Sequence, residues 1–277
     1  MLYGRGKEGN GMLNNNVISI ELIDAKENVR EHCEGNGHCE LVWYGSYEPG
    51  DMIRVQAVQG SFVRLQIDQL ISPASLYFDE GTFLFPIPFG SAKDPYPFSA
   101  FTGIHHQLSA FYFEKPEGTG LLSENPLDVR GDCGVYPHCS ASIETRGEAV
   151  FAARNTIDGL LITPGHGIWP YSSWGCGRDT TAHIDLWFGR PVWVEEVQLF
   201  LRADFPHDNY WKEGRLTFGD DFETTVSMTK TGECQTVWRG EPVLCDHVRL
   251  SHLILDEKEP GLFASLTQWR IWGREEF

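Results

Sequence analysis

The chain has 277 residues, too many for one small core and enough for two domains of about 130 residues each. Its 22 Lys and Arg against 39 Asp and Glu leave a formal charge of −17, which excludes the clustered positive charge that nucleic-acid phosphates and anionic membranes reward. At 41% hydrophobic and 22% charged it has the composition of a globular chain, and no run approaches the roughly 18 apolar residues of a membrane span.

The first 16 residues, MLYGRGKEGNGMLNNN, are rich in Gly and Asn and lack the apolar run of a signal peptide. The expectation is a cytoplasmic protein unless a leader was removed. Strands are predicted over 17–23, 52–58, 62–67 and 107–113, β-branched and aromatic runs separated by Gly, Pro, Asp and Asn. The same texture returns over 183–187, 192–202, 215–218, 248–255 and 266–272. Helical periodicity is confined to 24–33, barely two turns. Short strands with frequent turn signals imply an all-β fold of sandwich type. The stretch 116–139 holds four Gly and three Pro with little alternation, the composition of a connector. The expected organisation is two tandem β-sandwich domains, 1–125 and 141–277, joined by a linker over 126–140.

Seven cysteines leave at least one thiol free in a monomer. Cys33 and Cys39 flank His38, and Cys133 and Cys139 flank His138. These echoes read either as a metal site shared between the segments or as buried, unpaired thiols; zinc sites favour tighter Cys pairs. In 105–106 two histidines are adjacent, and alternate residues of a strand face opposite ways, so one is expected in the core and one on the surface.

In the second half, Val197, Leu199 and Leu201 alternate with Gln198, Phe200 and Arg202, as in a strand with one buried face. The preceding run, 183–187, is separated from it by Phe188-Gly189-Arg190-Pro191, short enough for a hairpin turn. A hairpin would bring the segments 159–182 and 203–214 out side by side. Together they offer His166, Trp169, Tyr171, Trp174, Arg202, Asp204, His207, Asp208, Tyr210 and Trp211. Sugars present apolar CH faces, on which aromatic rings stack, and hydroxyl edges, which Asp, His and Arg bind through directional hydrogen bonds. The competing reading is that Trp169, Trp174 and Trp211 cover the open end of the core and that Arg202 and Asp204 form a rim salt bridge.

Three ordered motifs add a resemblance: ARNTIDG (153–159), HIDLWFGRPVWVEEVQLFLR (183–202) and LTQWRIWG (266–273). With them the stretch 141–273 resembles a discoidin-type domain, the galactose-binding-like β-sandwich of coagulation factors and family 32 carbohydrate-binding modules. The resemblance implies ligand binding by loops at one end of the sandwich. It also implies a structural calcium at the Asp-Gly corner, which would fall on Asp158 and Gln268, where the family commonly has Glu in place of Gln268. The first half looks like a second jelly roll of the galactose-binding type.

The expected function is therefore non-catalytic carbohydrate binding, with a glycan as partner. The alternatives are a glycosidase using Asp204 and Asp208, a polysaccharide lyase using His207, Asp208 and Tyr210, and a protein-adhesion module. No G-x-S-x-G, H-E-x-x-H, P-loop or dinucleotide motif is present.

Overall fold

Along β1 (Val17–Ile23), Ile18, Ile20 and Leu22 are buried while Ser19 and Glu21 lie nearer solvent, as the period of two requires. The fold is all-β, a computed structural model describing residues 16–115, 117–165, 167–202, 209–259, 261 and 263–276. Among the described residues the only helical turns are four short 3-10 segments, Gly90–Lys93, Thr145–Gly147, Ala149–Phe151 and Ala153–Ile157. No helix there is long and apolar enough to cross a membrane.

The first half continues with β2 (Val29–Asn36), β3 (His38–Tyr44), β4 (Met52–Gln56), β5 (Ser61–Gln66), β6 (Ala74–Phe78), β7 (Thr82–Pro86) and β8 (His105–Tyr112). Strands β2-β1-β4-β7 form one antiparallel sheet. A second has the order β6-β5-β8-β3. Ile20, Val55 and Phe85 of the first sheet and Leu65, Leu76 and Leu108 of the second belong to one core. The helical reading of 24–33 fails for a local reason. Asp24 accepts the backbone N–H groups of Lys26 and Asn28 at 2.8 and 2.9 Å, closing an Asx turn, and Glu27 takes φ 64°, so the chain reverses into β2. His106 is buried and His105 exposed, the division expected of neighbours in a strand.

The rest of the chain forms β9 (Gly120–Leu121), β10 (Val135–Tyr136), β11 (His138–Ala141), β12 (Trp174–Gly175), β13 (Ile184–Leu201), β14 (Trp211–Phe218), β15 (Phe222–Ser227), β16 (Gln235–Leu255) and β17 (Ser265–Glu275). Apart from β10, which extends the β6-β5-β8-β3 sheet beside β6, their sheet runs β12-β17-β13-β16-β14-β15, with β11 added beside β13 and β9 beside β17. It encloses a second core that includes Leu186, Leu199, Leu216, Leu250 and Trp269.

The predicted hairpin between 183–187 and 192–202 does not exist: β13 is one strand of 18 residues. Strand β16 lies beside it on both sides of the supposed turn, pairing Trp187 with His247 and Val192 with Cys245. Residues 188–191 are a bulge, with φ 68° at Gly189, where a Cβ would lie 2.1 Å from the Tyr136 ring.

Nor is 126–140 an exposed tether. Strand β9 pairs with β17, Leu127 and Val135 are buried in the first core, β10 pairs with β6, and β11 then pairs with β13. The chain thus passes between the two cores repeatedly before committing to the second. Across this seam Arg190 donates to both Glu275 oxygens, at 2.7 and 2.6 Å, while its guanidinium lies over Phe62 and Tyr77 at 4.8 and 4.7 Å.

Candidate functional site

The alternation that builds the second core also builds an outer face. Leu186, Val248, Leu250, Leu216 and Phe218 point inward, so Asp185, Trp187, His247, Arg249, Ser251, Arg215 and Thr217 point outward from β13, β16 and β14. The register sets Trp187 opposite His247, Asp185 opposite Arg249, and Arg249 opposite Thr217. Thr180, Thr181 and His183 close one side of this face, Gly219, Asp220 and Glu223 another, and the result is an open groove of about 670 Å³.

Its aromatic element is fixed. The Trp187 indole Nε1–H donates to Ser140 Oγ at 3.1 Å, and the ring stacks on His247 with centroids 4.4 Å apart and planes 25° from parallel. Arg249 donates to both oxygens of Asp185 at 2.6 and 3.1 Å, and this hydrogen-bonded charge holds the guanidinium pKa above its ordinary value. Arg215 pairs with Glu223 at 3.3 Å. The groove therefore offers one ring system flanked by donors and acceptors whose directions are set by the sheet. Sequence reading missed it. The signal was present in HVRLSH (247–252), where polar and apolar residues alternate.

The loop residues named from sequence divide into three groups. His166, Asp204, His207 and Asp208 lie outside the described residues. Trp174, Trp211 and Arg202 are buried, which corrects their assignment as ligand contacts. Trp174 and Trp211 are 0% and 2% exposed and pack on each other at 5.7 Å, closing the end of the core. Arg202, 1% exposed, donates to Ser173 Oγ at 2.8 Å. The third group keeps solvent contact. Trp169 is 38% exposed but sits at the seam, its backbone N–H donating to the Asp94 carbonyl at 2.7 Å. Tyr171 is half-buried. Tyr210, also half-buried, donates its hydroxyl to Asp256 at 2.7 Å, and that bond raises its pKa.

Strand β17 joins the end of β13 to β12. Leu266 of β17 pairs with both Leu201 and Trp174, so the end of β13 and the segment before β12 meet through β17. At that end the exposed Phe263 ring lies under the Arg178 guanidinium at 4.8 Å.

No protein-family profile matches the chain, and no curated protein matches it. Solved structures do. The chain is similar to a family 32 carbohydrate-binding module of C. perfringens NanJ in complex with galactose, at 16% identity over 48% of this chain and 91% of that one, with a TM-score of 0.37. It is also similar to chitosan-binding module 1 of a chitosanase/glucanase from Paenibacillus sp. IK-5, at 17% identity over 56% and 99% of the two chains, TM-score 0.39. A third is a fucose-binding module, SpX-3, of Streptococcus pneumoniae, at 13% identity over 49% and 92%, TM-score 0.37. Values this low leave the ligand to be argued from the chain's own residues.

Asp158 and Gln268, the pair expected to hold calcium, do meet. Gln268 donates from Nε2 to Asp158 Oδ1 at 2.6 Å and to the Asn155 carbonyl at 2.7 Å, and its Oε1 accepts the Gly159 N–H at 3.2 Å. Calcium is bound by oxygen, and here the glutamine turns N–H groups toward the carboxylate. The two side chains satisfy each other and do not fit a calcium ion between them. Burial pushes the Asp158 carboxyl up to about 7, against the opposing pull of Arg154, the Leu160 N–H and Gln268.

Proposed function

We propose that the chain is a non-catalytic carbohydrate-binding protein made of two β-sandwich units, and that a saccharide lies in the groove over Trp187. The observation that carries this is the groove floor itself: a stacked Trp187–His247 pair bordered by Arg215, Arg249, Asp220, Glu223 and His183. An indole face attracts the CH side of a pyranose, while the bordering groups bind hydroxyls from fixed directions. The charged pairs Arg249–Asp185 and Arg215–Glu223 neutralise each other, which favours a neutral sugar over an acidic one. Glu223 pairs with Arg215 at 3.3 Å, so both side chains enter the groove as an ion pair that offers hydroxyls a donor and an acceptor side by side.

A second site is favoured by one observation, the Phe263 ring under Arg178 at the loop end, where the Asn209 N–H bonds the Phe263 carbonyl at 2.7 Å and Tyr210 follows. The two sites are separable by experiment. The intact protein is screened on a glycan array beside Trp187→Ala and Phe263→Ala, each checked for a parental melting curve. Binding lost in Trp187→Ala alone supports the groove; binding lost in Phe263→Ala alone moves recognition to the loop end. Silence of the parent across a broad array overturns carbohydrate binding.

A further inference from the structure

The passage between the two cores brings three chemically different ligands together. Asp128 and Cys133 lie on the stretch that packs on the first core, and His138 opens β11, which pairs with β13 of the second core. His138 Nδ1 is 2.7 Å from Asp128 Oδ1 and 3.9 Å from Cys133 Sγ. The three ligand atoms all lie within 4.8 Å of one another. We propose that Asp128, Cys133 and His138 form a zinc site that clips the two cores together.

The chemistry of the set suits zinc. A thiolate, an imidazole and a carboxylate together are a borderline-soft donor set, whereas calcium and magnesium take oxygen alone. Zinc–ligand bonds of about 2.0–2.3 Å place tetrahedral ligand atoms roughly 3.3–3.8 Å apart. The Cys133–His138 separation of 3.9 Å is already close to that range. The 2.7 Å Asp128–His138 pair would open as the ion replaces the hydrogen bond between them. A water would complete the fourth position.

The surroundings hold the ligands in place. Asp128 Oδ2 accepts the Cys139 N–H at 2.9 Å, and the Asp128 carbonyl accepts from Arg154 Nε at 2.6 Å. Such outer contacts orient a metal-binding carboxylate. Between Cys133 and His138 the chain turns at Gly134, φ 66°, where a Cβ would crowd the Thr82 carbonyl at 3.1 Å. After that turn the Cys133 thiol donates to the Val135 carbonyl at 3.3 Å and lies 3.9 Å from the His138 imidazole. Cys139, by contrast, points its thiol at Thr156 Oγ1, 3.3 Å away, and is not part of the set.

The test uses the untagged full chain, stripped of metal and reduced. Cobalt(II) is titrated as a spectroscopic stand-in, then displaced with zinc. The expected result is a thiolate-to-cobalt charge-transfer band saturating at one ion per chain and abolished by zinc. Zinc should also raise the melting temperature. Cys133→Ser should lose the band and the thermal shift, with zinc affinity down more than about 100-fold, beyond the loss from removing an outer-shell contact alone. Its metal-free melting curve should match the parent, because the serine hydroxyl can take over the thiol's hydrogen bond to the Val135 carbonyl. His138→Gln is the second variant and should also lose the band. A triple Cys33→Ser, Cys39→Ser, Cys234→Ser variant should keep it. No thiolate band at saturating cobalt, or a band that survives Cys133→Ser, overturns the proposal.

Discussion

Replacing Asp158 by Asn tests the electrostatics of the Asp-Gly corner. In the folded protein the Asp158 carboxyl titrates at about 7, against 3.8 for an unperturbed group, chiefly because burial disfavours its charge. The folded state therefore binds this proton more tightly than the unfolded state does. The associated stability is fully present below pH 3.8 and is lost as pH rises through 7. At about 1.4 kcal/mol per pH unit, the shift caps the loss at about 4 kcal/mol. Partial solvent contact at Asp158 brings the expected figure nearer about 2 kcal/mol. Asn keeps an oxygen to accept the Leu160 and Gln268 N–H groups and removes the charge. Urea unfolding of parent and Asp158→Asn at a series of pH values should show the difference between them growing in favour of the variant from about pH 4 to about pH 8. Parallel stability curves, or a variant losing most at high pH, would refute the burial argument.

Four further outcomes are expected. Gln268→Glu sets a second carboxylate against Asp158 and removes its donor, so it should lower stability at neutral pH by about 2–4 kcal/mol. Thermal melts with calcium and with a chelator should show that only this variant gains from the ion. Trp174→Ala should cost about 3–5 kcal/mol in chemical denaturation, since the ring is fully buried against Trp211. Arg190→Ala leaves Glu275 to Lys115 alone and uncovers Phe62 and Tyr77, and should cost about 3 kcal/mol by the same measurement. For His138, burial opposes the imidazolium, but the hydrogen bond and charge of Asp128, with a smaller contribution from Cys133, raise it to about 10. Stability from that pair is therefore present below pH 6.5 and lost as pH rises toward 10, a loss that unfolding of metal-free Asp128→Asn should no longer show.

By itself the sequence determined the all-β class, because a two-residue period and turn residues are local properties that need no partner strand to be read. Val17–Ile23 is a strand with the bounds that periodicity gave it, and His105 and His106 divide between surface and core for the same reason. The contact of Asp158 with Gln268 also follows from the matched motifs, although the polarity of that contact does not. Tertiary structure decided the rest. Phe188–Pro191 has turn composition, yet β16 pairs with β13 on both sides of it and makes it a bulge. Trp174 and Trp211 have the composition of a sugar platform, but whether a ring faces solvent depends on what packs over it, and here each covers the other. The groove over Trp187 joins side chains from β13, β14 and β16, and the Asp128–Cys133–His138 cluster joins residues that pack on different cores. Such juxtapositions are set by strand order and register, which depend on long-range pairing and leave no local periodicity in the chain.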